Sequence, residues 1–378
     1  MRRAATRPPE EAGRTRDGVR LLVATPDGLA HASFSDLPRF LSAGDLLVVN
    51  TSATFPAAVG GAGPDGQSVA VHFSTPLDGD TWLVELRTGG PDLRRVTDAA
   101  PGQVITLPAG ARLTLTGRYP DEDAARMWRA AVRTGPGGAA AGQPDGTGRP
   151  DGTDVLRYLA RHGTPIRYSY VPEPWPLTAY QTVFATSPGS AEMPSAGRPF
   201  TDRLVTALVT AGVVIAPITL HAGVASLETG EAPLPERFAV SAVTADLVNL
   251  ATARGNRVIA VGTTVTRALE SAARPGGTVA ASGGWTDLVL GAGHPARVVT
   301  GLITGWHDPE ASHLHLLHAV AGRRLVQAAY DEADRAGYLG HEFGDSCLLL
   351  PRAAPRDART AGGGSVAATA RTGRSAAA

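Results

Sequence analysis

The stretch RVIAVGTTVTRALESAA, residues 257–273, decides how this chain is read. Val258, Ile259, Ala260 and Val261 form a short apolar run with no polar member, the composition of a buried strand. Gly262 then allows a tight turn. Thr263 and Thr264 offer hydroxyls suited to cap a helix, whose apolar positions Val265, Ala268, Leu269 and Ala272 fall at helical spacing. Strand, glycine and helix start together place backbone N–H groups and the positive end of a helix dipole at one point, which suits an anionic or acceptor-rich part of a small ligand. The plainer reading of the same residues is a capped helix in an ordinary α/β domain, and the segment alone leaves both open.

Outward from that segment the alternation repeats. Residues 155–162 and 202–211 have helical periodicity, 213–219 reads as an apolar strand and 245–254 as a helix; strands near 287–290 and at 298–304 lead into a helical stretch, 312–336. This predicts an α/β fold, a layered domain with a largely parallel sheet. Upstream the rhythm differs: 69–73, 82–87, 104–107 and 112–116 are short alternating runs between turn residues, the spacing of a small β-barrel. The expected organisation is a split α/β catalytic domain, residues 1–58 and 154–351, interrupted by a β-rich insert, 59–133. Residues 134–153, rich in Gly, Pro and Asp without periodicity, are expected as a flexible loop, and 352–378 as a disordered tail.

Composition narrows the chemistry. The 378 residues suffice for one large domain or two ordinary ones. Lys+Arg and Asp+Glu both number 35, so nothing global announces a binder of polyanions or membranes, although a local basic face stays open. No lysine occurs, so all 35 fixed cations are arginine, which rules out Schiff-base lysine chemistry and a P-loop lysine. The single cysteine, Cys347, rules out an internal disulfide; within Cys347-Leu348-Leu349-Leu350 it reads as core. Residues 1–20 carry arginines and glutamates without an apolar h-region, and no run reaches membrane-spanning length, so a cytoplasmic enzyme without membrane attachment is expected.

In a parallel sheet, ligands gather where strands end and helices begin. Asn50 closes the apolar run 46–49, His221 and Gly223 follow the strand 213–219, and Trp306 and His307 follow 298–304. Tyr180 and Gln181 precede the small-residue turn Pro194-Ser195-Ala196-Gly197. A lone histidine at a strand end is usually structural; the weight rests on four polar clusters following four elements.

In order, the segments HASFSDLPRFLSAGDLL (31–47), VVNTSATFPA (48–57), YQTVFA (180–185), PSAG (194–197), TLHAG (219–223), VGTTVTRALESAA (261–273), TDLVL (286–290), HDPEAS (307–312) and FGD (343–345) resemble the S-adenosylmethionine:tRNA ribosyltransferase-isomerases of queuosine biosynthesis. YQTVFA, TLHAG and VGTT…LESAA, in that order, are the specific part. The resemblance implies an α/β domain with an inserted β-barrel. It also implies that S-adenosylmethionine is consumed as a ribosyl donor, with no separate cofactor. The 7-aminomethyl-7-deazaguanine base of a tRNA anticodon loop accepts the ribosyl group, giving epoxyqueuosine and releasing adenine and methionine. Such a reaction asks for a base, a proton donor for adenine and a pocket tolerant of a cation. The implied positions are His221, His307 and Glu236 as acid–base or sulfonium-facing groups. Gly262, Thr263, Thr264 and Arg267 would hold the methionine or ribose portion, and Tyr180, Gln181 and Trp306 a purine-like ring. Asn50, Ser195 and Gly197 complete the expected substrate contacts, in a monomer without a metal.

The chain departs from the family pattern at several places. Ala53 and Ala58 stand where relatives carry arginines, Arg198-Pro199 replaces Leu-His, and Leu234-Pro235-Glu236 keeps only the carboxylate of His-Ser-Glu. A lost guanidinium removes a bidentate clamp for anions. Two other outcomes therefore stay open: a relative using the same donor on a small-molecule amine, and a non-catalytic S-adenosylmethionine-binding protein. A metal centre built from His313, His315 and His318 is disfavoured, because offsets of two and five residues place them roughly 200° and 500° round a helix.

Overall fold

The computed structural model describes residues 3–78, 80–90, 93–121, 126–134, 153–168, 170–224, 233–307 and 313–351. The expectations for 135–152 and for 352–378 lie outside the described residues. A nine-stranded sheet runs in the order Ser282–Thr286, Glu236–Val240, Val214–His221, Leu46–Asn50, Val258–Val261, Gly301–Gly305, Ser346–Leu349, Arg20–Thr25, Gly28–Ser33. The four strands from Val214–His221 to Gly301–Gly305 are mutually parallel. The strands Glu236–Val240 and Ser282–Thr286 extend them antiparallel on one side, and Ser346–Leu349 joins antiparallel on the other. The expected parallel sheet is thus the centre of a mixed one.

The central runs are apolar throughout because both faces are covered. Leu46, Val48, Val258, Ala260 and Leu302 point into a core closed by the helices Ala242–Ala253, Thr263–Ser271, His313–Ala321 and Arg323–Arg335. Leu47, Val49, Ile259, Val261 and Ile303 point the other way, against Phe34, Leu37, Phe200, Leu204 and Leu208. A buried ion pair anchors the start of the quoted segment. Arg257 donates through Nε to Asp45 Oδ1 at 3.0 Å, and Asp45 also accepts from the Ser42 backbone at 2.7 Å, fixing the Gly44-Asp45-Leu46 entry to the neighbouring strand.

Six antiparallel strands form the closed barrel: Met127–Arg133, Thr81–Thr88, Ser68–Pro76, Ala58–Ala62, Val104–Thr106 and Arg112–Tyr119, which returns to the first. The period of two is visible in Val69, Val71 and Phe73, in Trp82, Val84 and Leu86, and in Leu113 and Leu115, all turned inward. The helix Thr153–His162 plugs one side through Val155, Tyr158 and Leu159.

Three expectations need correction. The strand placed near 287–290 lies earlier, at Ser282–Thr286; its sequence SGGWT carries little apolar signal, and backbone pairing with Glu236–Val240 makes it a strand. The helical stretch 312–336 is two helices, broken at Gly322, whose φ of 77° only glycine adopts without strain. Finally, neither Thr263 nor Thr264 caps the helix: Gly262 occupies the N-cap with φ 97°, and no side-chain cap bond is made.

Candidate active site at the carboxyl ends of the parallel strands

Asn50, His221, Gly262 and Gly305 end or follow the four parallel strands, so the sheet brings them to one edge. At its left, Asn50 spends its whole amide on the scaffold. Its Oδ1 accepts from the Ser52 and Leu220 N–H groups, each at 3.0 Å, while Nδ2 donates to the Leu220 carbonyl at 2.8 Å and to Thr264 Oγ1 at 3.4 Å. Asn50 therefore shapes the site rather than offering groups to it.

His221 stands next to this knot. Its Nδ1 lies 2.7 Å from Ser52 Oγ, which is itself 2.6 Å from Ser190 Oγ. A Cβ on Gly189 would come within 2.4 Å of the ring, so the imidazole fits only against a glycine. Burial, aided by the nearby Arg237, holds the His221 pKa below its ordinary value, so the ring is neutral near pH 7. With Nδ1 engaged by Ser52, Nε2 is the nitrogen left to act.

Across the edge, Glu236 forms an ion pair with Arg267, and Arg267 also donates to the carbonyls of Leu288 and Thr286, each at 3.2 Å. Burial raises the Glu236 pKa, opposed by Arg267 and by the Gly223 N–H. His313 faces Arg267; burial first and that guanidinium second keep its pKa low. The His313 ring stacks on His307, with centroids 4.5 Å apart and planes 4° off parallel, and His307 Nε2 lies 3.1 Å from Thr304 Oγ1. Two imidazoles and one carboxylate thus share a partly water-shielded corner, with a guanidinium already committed to the carboxylate. Among the described residues no group of three His, Cys, Asp or Glu side chains is placed to hold a metal ion.

At the right, the turn Ser195–Gly197 packs on Gly262, where an added Cβ would sit 3.3 Å from Ala196 Cβ. Ser195, Arg198, Gly305, Glu342 and Asp345 line a crevice there of about 10 Å³, room for one water-sized group. Glu342 has no hydrogen-bond partner among the described residues; burial pushes its carboxyl up to about 7, with Arg198 pulling the other way. Arg198 donates to Glu10 at 3.0 Å and to the Ala179 carbonyl at 2.9 Å.

The expected purine-stacking set does not form. Trp306 is 2% exposed, and its ring faces are taken edge-on by Tyr330 and Tyr338, at 5.1 and 5.7 Å. Gln181 clamps the Thr54 backbone from both ends of its amide, accepting at 3.0 Å and donating at 2.7 Å. Tyr180 is buried against Phe343, and burial pushes its phenol to about 12. Arg267 likewise lies under the site as a saturated support, not as a free clamp. Gly197 packs on Thr182, and Thr263 is half-buried at the helix start. Sequence reading missed Ser52, Ser190, Thr304 and Glu342, and saw His313 only as a weak metal candidate. Ser52 lay inside the quoted VVNTSATFPA, but a hydroxyl two residues past a strand announces no partner 169 positions away.

The family model described as queuosine biosynthesis protein matches residues 1–349. The chain belongs to the queuosine biosynthesis protein family. Among its relatives, the S-adenosylmethionine:tRNA ribosyltransferase-isomerase of Moorella thermoacetica is 36% identical over 89% of this chain and 94% of its own length. The protein of the same name from Acidiphilium cryptum is 34% identical over 90% of this chain and 96% of its own. A solved S-adenosylmethionine tRNA ribosyltransferase from Thermotoga maritima aligns over 92% of this chain and 96% of its own, at 25% identity and a TM-score of 0.48.

Proposed function

We propose that this protein is an S-adenosylmethionine:tRNA ribosyltransferase-isomerase that acts in the cytoplasm as a monomer on the tRNA anticodon loop. It moves the ribosyl part of S-adenosylmethionine onto 7-aminomethyl-7-deazaguanine and releases adenine and methionine. The donor is consumed, and no separate cofactor takes part. The observation that carries the reading is the pairing of family membership over 1–349 with two neutral imidazole centres at one sheet edge.

The sulfonium acidifies the ribose 5′-carbon, and His221 Nε2 takes that proton. Its Nδ1–H donates to Ser52, which fixes the tautomer and steadies the imidazolium that forms. Electrons from the broken C–H bond open the sugar and expel adenine. In this reading the departing adenine takes up a proton relayed from solvent through the stacked His307–His313 pair, each ring accepting on one nitrogen as it gives from the other. The amine of the acceptor then attacks the opened sugar, and methionine departs as ring closure gives the epoxide. Glu236 is the sulfonium-side carboxylate in this reading, its charge set between the burial that raises its pKa and the Arg267 guanidinium that opposes it.

The test is incubation with S-adenosylmethionine and tRNA from cells blocked at this step, with adenine followed chromatographically. Adenine release that requires the tRNA is the expected result; no release with that tRNA overturns the reading.

A further inference from the structure

Residues 3–14 form an arm laid beside the turn that carries Glu342. Backbone bonds hold it there: Ala5 N–H donates to the Gly340 carbonyl and Gly340 N–H to the Arg3 carbonyl, each at 3.0 Å. Ala5 adds an apolar contact, packed among Val171, Tyr180 and Phe343. Glu10 turns inward, accepting from Arg198 at 3.0 Å and from Arg16 at 2.9 Å, so its charge is already matched. Arg3, Arg7 and Arg14 are exposed, and no carboxylate pairs with any of them among the described residues. All three line a cavity of about 270 Å³ whose other walls are the arm's own backbone, Pro8, Pro9, Leu339 and Phe343. No acidic residue lines it, and Glu11, the remaining carboxylate of the arm, lies outside it. Phe343 is shared with the crevice of Glu342, Ser195 and Gly305, so the cationic cavity borders the sheet-edge site.

We infer that this arginine-lined cavity is a cradle for the phosphate backbone of the acceptor RNA, beside the sheet-edge site. The proposal rests on the reading of the acceptor as a tRNA. Three unpaired guanidiniums gathered in one cavity, in a chain whose charges balance overall at 35 against 35, make a local and directed field. Guanidinium donors in planar forks match phosphate oxygens two at a time. The volume admits a phosphodiester with part of its sugar, and the apolar floor of Leu339 and Phe343 gives that sugar a surface.

The experiment compares wild type with the triple variant Arg3→Gln/Arg7→Gln/Arg14→Gln. A control of equal charge, Arg161→Gln/Arg203→Gln/Arg254→Gln, alters exposed arginines elsewhere. Binding of the same tRNA is measured across a salt series, with the KM for S-adenosylmethionine measured in parallel. Each lost phosphate contact lowers the slope of log K against log salt by about 0.7 to 0.9. The arm variant is therefore expected to lose a slope of about 2 and to bind tRNA on the order of 10²-fold more weakly at low salt. The control binds as wild type does, and the donor KM stays unchanged in both. Equal tRNA affinity and slope in wild type and arm variant overturns the cradle. A raised donor KM with intact tRNA binding also overturns it, by showing that the cavity takes the donor's carboxylate. If wild type binds tRNA through these arginines yet releases no adenine, the cradle stands and the reaction reading fails.

Discussion

The same parallel strands have two ends, and polar residues are used differently at each. Where the strands start, Asp45 and Arg257 are 1% and 5% exposed, and the carboxylate is answered by the Arg257 guanidinium and the Ser42 N–H. Where they finish, Asn50 and Arg267 are saturated too, but His221 keeps Nε2 unspent and Glu342 has no hydrogen-bond partner among the described residues. Polar groups at the first end hold the fold, and those left incomplete at the second are available to a substrate. The incomplete ones stay in place because saturated ones surround them.

The largest expected effect breaks the first end. Arg257→Ala leaves the Asp45 carboxylate buried and unpaired, and should cost about 3–5 kcal/mol of stability. Urea unfolding measures it, while the molecules still folded should bind S-adenosylmethionine with unchanged affinity. A small stability loss would mean that water reaches this pair. At the second end the expectation reverses. His221→Ala should lower turnover by about 10²–10⁴-fold while changing unfolding by no more than about 1 kcal/mol. Turnover near the wild-type level would remove His221 from the proton transfer.

How much of this was legible in the sequence follows the same division. The strand–turn–helix at 257–273 could be read because apolar periodicity and a glycine are local signals, and the runs LLVV and VIAV announce burial on two faces by lacking polar members. The SGGWT strand was illegible because its cause is hydrogen bonding to a neighbour distant in sequence. Within the site, His221 and His307 stood out by type and strand-end position, whereas Glu236 was singled out only through the family resemblance. The roles given to Arg267, Gln181 and Trp306 misled for one shared reason: a chemically versatile side chain looks the same in sequence whether its groups are spent or free. Arg267 is spent on Glu236 and on carbonyls, Gln181 on Thr54, and Trp306 on two tyrosines. Only the fold reveals the partners.

A smaller effect tests whether Glu342 is truly incomplete. Its folded pKa of about 7 lies above the ordinary carboxylate value of 4.5. Folding therefore favours the protonated form, and its contribution, full below pH 4.5, is lost as pH rises through 7. Glu342→Gln removes that loss. Relative to wild type, the variant should become progressively more stable between pH 4.5 and 7 and hold the gain above it. The crevice is partly open to solvent, which discounts the gain to about 1–2 kcal/mol. Parallel melts at pH 4.5 and 8 measure the difference, and a gap that does not change with pH would show the carboxyl already satisfied.

The smallest effect probes the junction between the two kinds of group. Ser52 is fully buried and belongs to the saturated class, yet its hydroxyl reaches His221 Nδ1 at 2.7 Å. Ser52→Ala should lower turnover about tenfold with the donor KM unchanged, since the ring loses its preferred tautomer but keeps its place against Gly189. The lost acceptor also destabilises the imidazolium, so the pKa of His221, already low, falls further and the acid limb of the pH–rate profile moves to lower pH. Ser52→Thr, which restores a hydroxyl, should return the limb toward its original position. A merely structural serine would change the amount of folded protein and leave the limb where it was, so the position of that limb decides whether the scaffold around Asn50 reaches into the chemistry.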